Sequence, residues 1–233
     1  MDLAVILAGA GEGRRMGALG PKLLLDICGR AALLRVLDSF LGVSAVGEIV
    51  AVVPPSLLRD AERTLAAAPH PRAVRVAAIP GGATRQESVR LGLRSLTLTL
   101  PYVAVHDVAR VLVRPTLIER VLQAARTSGA AIPALPLRDS LKEVASGRVV
   151  RSIPREALQG AQTPQIFARD ILARAHARAL DENASATDDA TLVERIGAPV
   201  ASVPGDPSNF KLTEPGDLIV LKALIQAGIQ AEE

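Results

Sequence analysis

Short apolar runs alternate between residues 3 and 135 with stretches whose apolar residues recur at helical spacing. The apolar runs predict buried strands at residues 3–7, 48–54, 74–79, 102–107 and 130–135. The stretches between them predict helices at residues 31–41, 55–68, 84–96 and 115–127. Strands joined by helical crossovers form parallel sheets with helices on both faces. The pattern therefore predicts an α/β fold with a doubly wound, Rossmann-like and mostly parallel sheet.

The regular alternation stops after residue 137. Two β-prone pieces, LKEV and RVVRSI, are separated by Ala-Ser-Gly, which predicts a protruding β-hairpin arm at about residues 137–154. Because a two-stranded ribbon is marginally stable alone, we expect the arm to pack against something, and a second subunit is a candidate. Later elements are predicted as a helix at 168–180, a helix at 188–196 capped by Thr187, the segments VASV and NFKLT, and a last helix from Glu214. The chain contains no linker, so residues 1–233 are expected to form a single domain.

Composition narrows the possible functions. The chain has 27 Lys and Arg against 24 Asp and Glu, no Trp and one Tyr, which disfavours a nucleic-acid partner. Cys28 is the only cysteine, so the chain has no internal disulfide, and a reducing cytoplasm is the expected location. No apolar run approaches the roughly 18 residues of a membrane span, so no membrane partner is expected. The slight positive charge is compatible with small anionic ligands.

A glycine-rich stretch, AGAGEGRRMGALGPK at residues 8–22, follows the first predicted strand. Glycines allow backbone N–H groups to converge on an anion, and Arg14, Arg15 and Lys22 add positive charge. The spacing matches neither the P-loop nor the dinucleotide-binding fingerprint. The stretch predicts a loop that wraps a triphosphate, and a flexible surface loop is the alternative interpretation.

Two further stretches lie at predicted strand ends, where doubly wound sheets bind their ligands. GGATRQ, at residues 81–86, offers backbone amides at a helix N-terminus, and Thr84 with Glu87 predicts a capping box there. Asp107 ends the fourth strand and suits Mg²⁺, which prefers carboxylate and phosphate oxygens. The alternative is a turn aspartate that is paired with Arg110.

Two last stretches suggest contacts with phosphate. Arg155 and Thr163 together suit a phosphate monoester, because one offers a charged fork and the other a hydroxyl. A polar loop is the alternative for this pair. On a strand, the side chain of Lys211 would point opposite to those of Phe210 and Leu212, either towards a cleft or towards solvent.

Taken together, these stretches resemble the 2-C-methyl-D-erythritol 4-phosphate cytidylyltransferases of the non-mevalonate isoprenoid pathway. The resemblance rests on GAGEGRRMG with the following Pro-Lys, GGATRQESV, HDVAR, REALQGAQTPQIF, TDDATLVE and NFKLT. It implies a Mg²⁺-dependent transfer of CMP from CTP to a polyol phosphate, with release of pyrophosphate, by a homodimer that is joined through the arm. The alternatives are a ribitol 5-phosphate cytidylyltransferase and a non-catalytic nucleotide-binding protein.

The resemblance also implies roles for individual residues. The residues expected to hold CTP are Ala10, Gly11, Gly13, Arg15 and Lys22 for the phosphates and Gly82 and Ser88 for the cytidine. Asp107 would bind Mg²⁺, and Lys211 would act with Arg15 and Lys22 on the reacting phosphates. The residues expected to hold the acceptor, some of them from the partner subunit, are Asp107, Arg110, Ser140, Arg155 and Thr163. Ser140 stands where the family has a threonine, so it keeps the hydroxyl and loses a methyl group.

Overall fold

The computed structural model describes residues 1–11, 21–69 and 74–228. The strands are β1 (Leu3–Ala8), β2 (Asp26–Ile27), β3 (Arg30–Ala31), β4 (Val46–Val53), β5 (Arg75–Pro80), β6 (Tyr102–Asp107), β7 (Ala130–Pro136), β8 (Leu141–Ala145), β9 (Arg148–Ile153), β10 (Gln159–Ala161), β11 (Gln165–Ala168) and β12 (Ala201–Pro204). The α-helices are α1 (Ala32–Leu41), α2 (Leu58–Ala66), α3 (Arg85–Ser95), α4 (Pro115–Ser128), α5 (Arg169–Asp181), α6 (Asp189–Arg195) and α7 (Pro215–Gln226). The predicted α/β alternation is therefore confirmed.

The central sheet has the strand order β10-β7-β11-β6-β1-β4-β5, and β12 lies along β7. The pairs β1–β4, β1–β6, β4–β5 and β7–β12 are parallel, whereas β10 and β11 run antiparallel to their neighbours. Ala8, the last residue of β1, is level with Val52 of β4 and Asp107 of β6. The chain segments that leave these strands consequently meet at one edge of the sheet, as expected for a doubly wound fold.

Both faces of the sheet are buried under helices. Successive side chains of a strand point to opposite faces. In β1, Leu3, Val5 and Leu7 belong to a cluster with α1, α2 and α4, while Ala4 and Ile6 belong to a second cluster with α3, α5 and α6. Burial on two faces explains why these strands are continuous apolar runs in the sequence. Within the described ranges, no helix is both long and apolar enough to cross a membrane.

Several details of the fold differ from the sequence prediction, and the short strands β2, β3 and β10 were not predicted. The strand β11, which the pattern did not reveal, lies antiparallel between β6 and β7. Its four residues are too few for a clear periodicity, although Ile166 and Phe167 are fully buried. The cap of α6 is Asp188, not Thr187, because its Oδ1 accepts hydrogen bonds from the amide and the hydroxyl of Thr191. The NFKLT segment lies outside the described strands.

The predicted arm is present as an antiparallel hairpin of β8 and β9. Ser146 and Gly147 both have positive φ, at 48° and 74°, which is the backbone of a two-residue hairpin turn. Three valines of the arm, Val144, Val149 and Val150, are 58%, 64% and 58% exposed. Because Val149 and Val150 are consecutive on a strand, the ribbon presents apolar side chains on both of its faces.

Candidate active site

A cleft of about 710 Å³ opens at the edge of the sheet where β1, β4 and β6 end. The residues that line it include Ala8, Gly9, Ala10, Gly11, Lys22, Pro54, Gly82, Thr84, Arg85, Ser88, Asp107 and Lys211. The segment after β1 and the segment after β5 touch within it, because a Cβ atom added to Gly81 would lie only 2.4 Å from the Cβ of Ala10. Any side chain at position 81 would therefore force the two segments apart.

Five of the seven residues expected to hold CTP line this cleft. They are Ala10, Gly11, Lys22, Gly82 and Ser88. Gly13 and Arg15 lie outside the described residues. The Ser88 hydroxyl donates to the carbonyl of Thr84 at 2.8 Å and accepts from the amide of Gly82 at 3.1 Å. Ser88 therefore fixes the shape of the segment after β5.

The N-terminus of α3 faces the cleft and has the predicted cap. The Thr84 hydroxyl accepts a hydrogen bond from the amide of Glu87 at 3.0 Å, as predicted. The return bond of a capping box is displaced by one residue, because Glu87 Oε2 accepts from the amide of Ala83 at 2.8 Å. Both bonds hold the backbone between Gly82 and Thr84 in place against the cleft.

Asp107 is the central charged group of the cleft and is only 7% exposed. Its Oδ2 lies 2.7 Å from the Lys211 ammonium, and its Oδ1 lies 3.0 Å from Nε of Arg85. Burial alone would raise the pKa of Asp107, but the charges of Arg85 and Lys211 outweigh this effect and hold the pKa well below its usual range. The carboxylate is therefore anionic at neutral pH.

The pairing of Asp107 with Arg110, which was the alternative interpretation, is not what the structure contains. The two Nη atoms of Arg110 donate to the carbonyls of Asn209 at 2.9 Å and Ala161 at 3.3 Å. Burial lowers the pKa of Arg110 below its ordinary value. These bonds hold the segments around Asn209 and Ala161 together beside the cleft. Arg110 is not among the described residues that line the cleft.

A buried polar group lies directly beneath Asp107. His106 is fully buried against the ring of Phe40, with the two ring centroids 5.3 Å apart, and burial lowers the pKa of His106 to about 4. Since its Nε2 lies 3.1 Å from the carbonyl of Arg110, this nitrogen carries the hydrogen of the neutral ring. The Thr163 hydroxyl then donates to Nδ1 of His106 and accepts from the amide of Asp107, both at 3.1 Å.

These contacts bear on the role that was expected for Thr163. Its side chain is buried, and its hydroxyl already donates one hydrogen bond and accepts another inside the protein. A direct bond from this hydroxyl to a substrate phosphate would require the bond to His106 to break. The structure also gives Thr163 and Arg155 different environments, because Arg155 is exposed and donates to the carbonyl of Arg138.

One lysine of the cleft, Lys22, holds the segment that carries the other, Lys211. The Lys22 ammonium donates to the carbonyls of Leu212 and Thr213, at 2.6 Å and 3.2 Å. The amide of Leu212 also donates to the carbonyl of Ala109 at 2.8 Å, which fixes the segment in the absence of a regular strand. Lys211 lines the cleft and Leu212 is buried, so the cleft is the correct one of the two orientations that the sequence left open, although the segment is not a strand.

Sequence reasoning missed three charged or polar residues, of which Arg85 lines the cleft and the other two lie behind it. Arg85 bridges Asp107 and Asp189, and Asp189 contacts His176. Arg85 lies in the GGATRQ motif, so its position at a strand-to-helix junction was a usable signal. Asp189 lies in the TDDATLVE motif, but its contacts with Arg85 and with His176 of α5 could not be read from the sequence, because only the fold brings these elements together.

The donor set of the cleft is compatible with Mg²⁺. Asp107 is the one carboxylate among the described residues that line the cleft. No group of three or more Asp, Glu, His or Cys residues suited to a metal occurs in the described part of the chain. Mg²⁺ in nucleotide sites is commonly held by one or two carboxylates together with phosphate oxygens and water. A single ionised aspartate in a cleft of about 710 Å³ that also contains two lysines fits that pattern.

The fold and the cleft define a nucleotidyltransferase: a doubly wound sheet with a glycine-containing loop after its first strand, and two lysines and a buried aspartate at the carboxyl ends of its strands. The sequence profile of 2-C-methyl-D-erythritol 4-phosphate cytidylyltransferase matches residues 3–227. The chain belongs to this family.

Individual relatives agree with the assignment. The chain is 42% identical to the 2-C-methyl-D-erythritol 4-phosphate cytidylyltransferase of Frankia casuarinae, over 96% of this chain and 81% of that protein. It is 40% identical to the enzyme of Rhodococcus jostii, over 97% of this chain and 96% of that protein. The crystal structure of the Thermus thermophilus enzyme superimposes with a TM-score of 0.79 at 38% identity, covering 97% of this chain and 100% of that one.

Proposed function

We propose that the protein transfers CMP from CTP to 2-C-methyl-D-erythritol 4-phosphate in the non-mevalonate isoprenoid pathway, giving 4-diphosphocytidyl-2-C-methyl-D-erythritol and pyrophosphate. The observation that carries this proposal is the family match over residues 3–227. The cleft that contains Lys22, Asp107 and Lys211 supports it. We also propose that the whole chain acts as one nucleotidyltransferase domain and that it works in the cytoplasm, where CTP is available.

The reaction joins two anions. A phosphate oxygen of the acceptor forms a bond with the α-phosphorus of CTP. The bond from that phosphorus to the bridging oxygen breaks, and its electron pair leaves with pyrophosphate. A phosphate monoester is already largely dianionic near neutral pH, so the nucleophile needs no general base. Catalysis then depends on placing the two phosphates in line and on offsetting their repulsion.

In this proposal, the main contribution of the protein to catalysis comes from its cationic side chains. In our proposal Lys211 turns from Asp107 to the α-phosphate and stabilises the charge that gathers on its oxygens in the transition state. Lys22 contacts the phosphates and at the same time anchors the segment that carries Lys211, which its bonds to Leu212 and Thr213 support. Arg15 is proposed as a further phosphate ligand, and it lies outside the described residues.

Asp107 is the proposed Mg²⁺ ligand. Its carboxylate is ionised and lies in the cleft, beside the lysine that is proposed to reach the α-phosphate. Bound Mg²⁺ would add positive charge at the phosphate oxygens of CTP and so weaken the repulsion between the substrates. Thr163 would support this role by holding the backbone amide of Asp107 in place.

The acceptor side of the site is proposed to form with a second subunit. Ser140 and Arg155 are exposed and flank the arm at its base, where Leu141 pairs with Ile153, and neither is among the described residues that line the cleft. Exposed valines on both faces of the arm support its burial in a homodimer. Analytical ultracentrifugation should therefore find a dimer at micromolar concentration, and a monomer at assay concentration would contradict this part of the proposal.

A pyrophosphate-release assay tests the proposed activity. Purified protein with CTP and Mg²⁺ is given either 2-C-methyl-D-erythritol 4-phosphate or ribitol 5-phosphate. We expect a clear preference for the first acceptor, and we expect chelation of divalent cations to abolish turnover. A preference for ribitol 5-phosphate would keep the mechanism but overturn the proposed acceptor. No release with either acceptor would overturn the proposed activity.

A further inference from the structure

An unbroken chain of ion pairs leads from the cleft into the protein interior. Lys211 contacts Asp107 at 2.7 Å, Asp107 contacts Arg85 at 3.0 Å, and Arg85 contacts Asp189 at 2.8 Å. Asp189 then lies 3.0 Å from Nε2 of His176. The Lys211 side chain at the cleft is 42% exposed, Asp107 and Arg85 are 10% and 27% exposed, and Asp189 at the inner end is 1% exposed. The network therefore connects a group at the cleft with a fully buried carboxylate.

The guanidinium of Arg85 lies between two carboxylates and binds both. Its Nε donates to Oδ1 of Asp107, and its Nη1 donates to Oδ2 of Asp189. Burial alone would lower the pKa of Arg85, but the charges of Asp189 and Asp107 outweigh it and hold that pKa above its ordinary value. Because a guanidinium is planar, its two bonds fix the orientation of the Asp107 carboxylate relative to the interior. A lysine has one nitrogen and cannot fix both directions.

Asp189 is itself held in place by side chains from three other elements: Arg85 of α3, Gln165 of β11 and His176 of α5. Gln165 of β11 accepts hydrogen bonds from the amides of Asp189 and Ala190, at 3.1 Å and 3.0 Å. The Gln165 side chain donates to Asp188 at 2.8 Å, which ties the strand to the start of α6. His176 of α5 completes the surroundings of Asp189. This carboxylate is therefore a fixed point on which Arg85 is held.

Asp107 has two cationic partners, Arg85 and Lys211. The proposed mechanism needs Lys211 at the α-phosphate of CTP. The charges of Arg85 and Lys211 both lower the pKa of Asp107, and the charge of Arg85 has the larger effect of the two. When Lys211 turns to a phosphate, Arg85 is the cation among the described residues that still contacts the carboxylate. Without it, a nearly buried carboxylate would lose both its orientation and the compensation of its charge.

We propose that Arg85 is a positioning residue for Asp107, and that Asp189 acts through Arg85 although it lies outside the cleft. The inference rests on the proposed function, in which Asp107 holds Mg²⁺ and Lys211 binds the α-phosphate. Arg85 keeps the Asp107 carboxylate oriented while Lys211 is engaged with the nucleotide. Asp189 holds the guanidinium of Arg85 in place, so that it does not turn towards the phosphates of CTP.

The test compares Arg85→Lys and Asp189→Asn with the wild type. We expect each to lower kcat/KM roughly 10- to 100-fold, as is typical when a group that orients a metal ligand is changed. Calorimetry should show weaker CTP binding in the presence of Mg²⁺ and little change without it. Arg94→Lys is the matched control, because Arg94 is an exposed residue near the end of the same helix. Thermal unfolding confirms that each variant is folded at the assay temperature.

A double-mutant cycle separates positioning from general damage to the fold. If Arg85 acts through Asp107, then Arg85→Lys should change kcat/KM less than about threefold in an Asp107→Asn background. Losses that multiply fully would overturn the proposal, as would a wild-type rate for Arg85→Lys. Calorimetry with CTP and Mg²⁺ needs no acceptor. The role of Arg85 can therefore be tested even if the protein does not catalyse the proposed reaction.

Discussion

The cleft and the arm carry the two halves of the expected site, and they differ in how the chain fixes them. In the cleft, Lys22, Asp107 and Lys211 are tied by internal hydrogen bonds and ion pairs to segments far away in the sequence. At the arm, Ser140 and Arg155 are exposed on or beside a two-stranded ribbon. The described residues of the cleft are held by contacts within a single chain, whereas the arm presents exposed polar side chains and apolar surface.

This difference shows what a single chain can and cannot determine. The geometry of the cleft follows from the sheet, because the parallel register places Ala8 beside Asp107, and the segment with Lys211 is bonded to Asp107 and Ala109 at the end of β6. The position of the arm relative to the cleft has no comparable support, since the hairpin pairs only with itself. We therefore expect variants in the cleft to act within one subunit and variants at the arm to depend on the dimer.

The largest effect is expected for Lys211→Ala. Loss of this ammonium removes a charge that is needed only as the α-phosphate gains charge, so kcat should fall roughly 100-fold or more. Steady-state pyrophosphate release measures it, and Lys222→Ala, at an exposed lysine of α7, is the matched control. A rate near that of the wild type would remove Lys211 from the mechanism and leave the cleft without its central cation.

The buried polar groups of the cleft should also make its stability depend on pH. Burial lowers the pKa of His106 to about 4, whereas an unfolded histidine titrates near pH 6.5. Between these values the unfolded chain binds more protons than the folded one, so the free energy of unfolding falls as the pH falls. The stabilisation is present above about pH 6.5 and is lost towards pH 4.

From pH 7 to pH 5 this difference amounts to about 2 kcal/mol, which urea unfolding at several pH values can measure. His106→Gln, which keeps a polar side chain but cannot titrate, should flatten the pH dependence by about the same amount. An unchanged slope in that variant would mean that His106 is not the group that titrates. The arm contains no histidine, so its variants should keep the wild-type slope.

The sequence was sufficient for the sheet and for much of the cleft. Long apolar strands and their intervening helices have clear periods, and Asp107 and Lys211 were assigned correctly to the ligand edge of the sheet. The contacts of Asp189 with Arg85 and with His176 could not be predicted, because only the fold brings these residues together. Periodicity describes one element at a time and carries no information about such contacts.

Smaller errors have equally local causes. The strand β11 was not predicted, since a buried strand of four residues has no readable pattern. The cap of α6 was placed one residue early, because Thr187 and Asp188 are both good caps and only the hydrogen bonds distinguish them. Both misjudged positions lie next to Gln165 and Asp189, where the ion-pair network meets α6.

A smaller effect, of a different kind, is expected for Arg155→Ala. Loss of a charged contact to the acceptor phosphate should raise the KM for 2-C-methyl-D-erythritol 4-phosphate roughly 10-fold, with CTP affinity nearly unchanged. Initial-rate kinetics with each substrate varied in turn measures this, and Arg59→Ala, at an exposed arginine of α2, is the control. An equal loss of CTP affinity would place Arg155 with the cleft.

Mixed dimers make the comparison between cleft and arm sharper. If Arg155 serves the partner's cleft, an equal mixture of Arg155→Ala and Lys211→Ala subunits contains dimers with one intact site. At an acceptor concentration well below KM, random exchange should then restore about a quarter of the wild-type rate, whereas Arg155→Ala alone keeps about a tenth and Lys211→Ala about a hundredth or less. If Arg155 serves its own cleft, every site carries one defect and no activity returns.

The smallest effect is expected at Ser140, where the hydroxyl and the missing methyl group can be separated. Ser140→Ala removes one hydrogen bond to the acceptor and should raise its KM about threefold, since a neutral hydrogen bond contributes about 0.5–1.5 kcal/mol. Ser140→Thr restores the methyl group that the family carries and should keep the KM within about twofold of the wild type. If both variants behave like the wild type, the hydroxyl makes no contact with the acceptor. A large effect of Ser140→Thr alone would mean that the pocket is shaped to the smaller side chain.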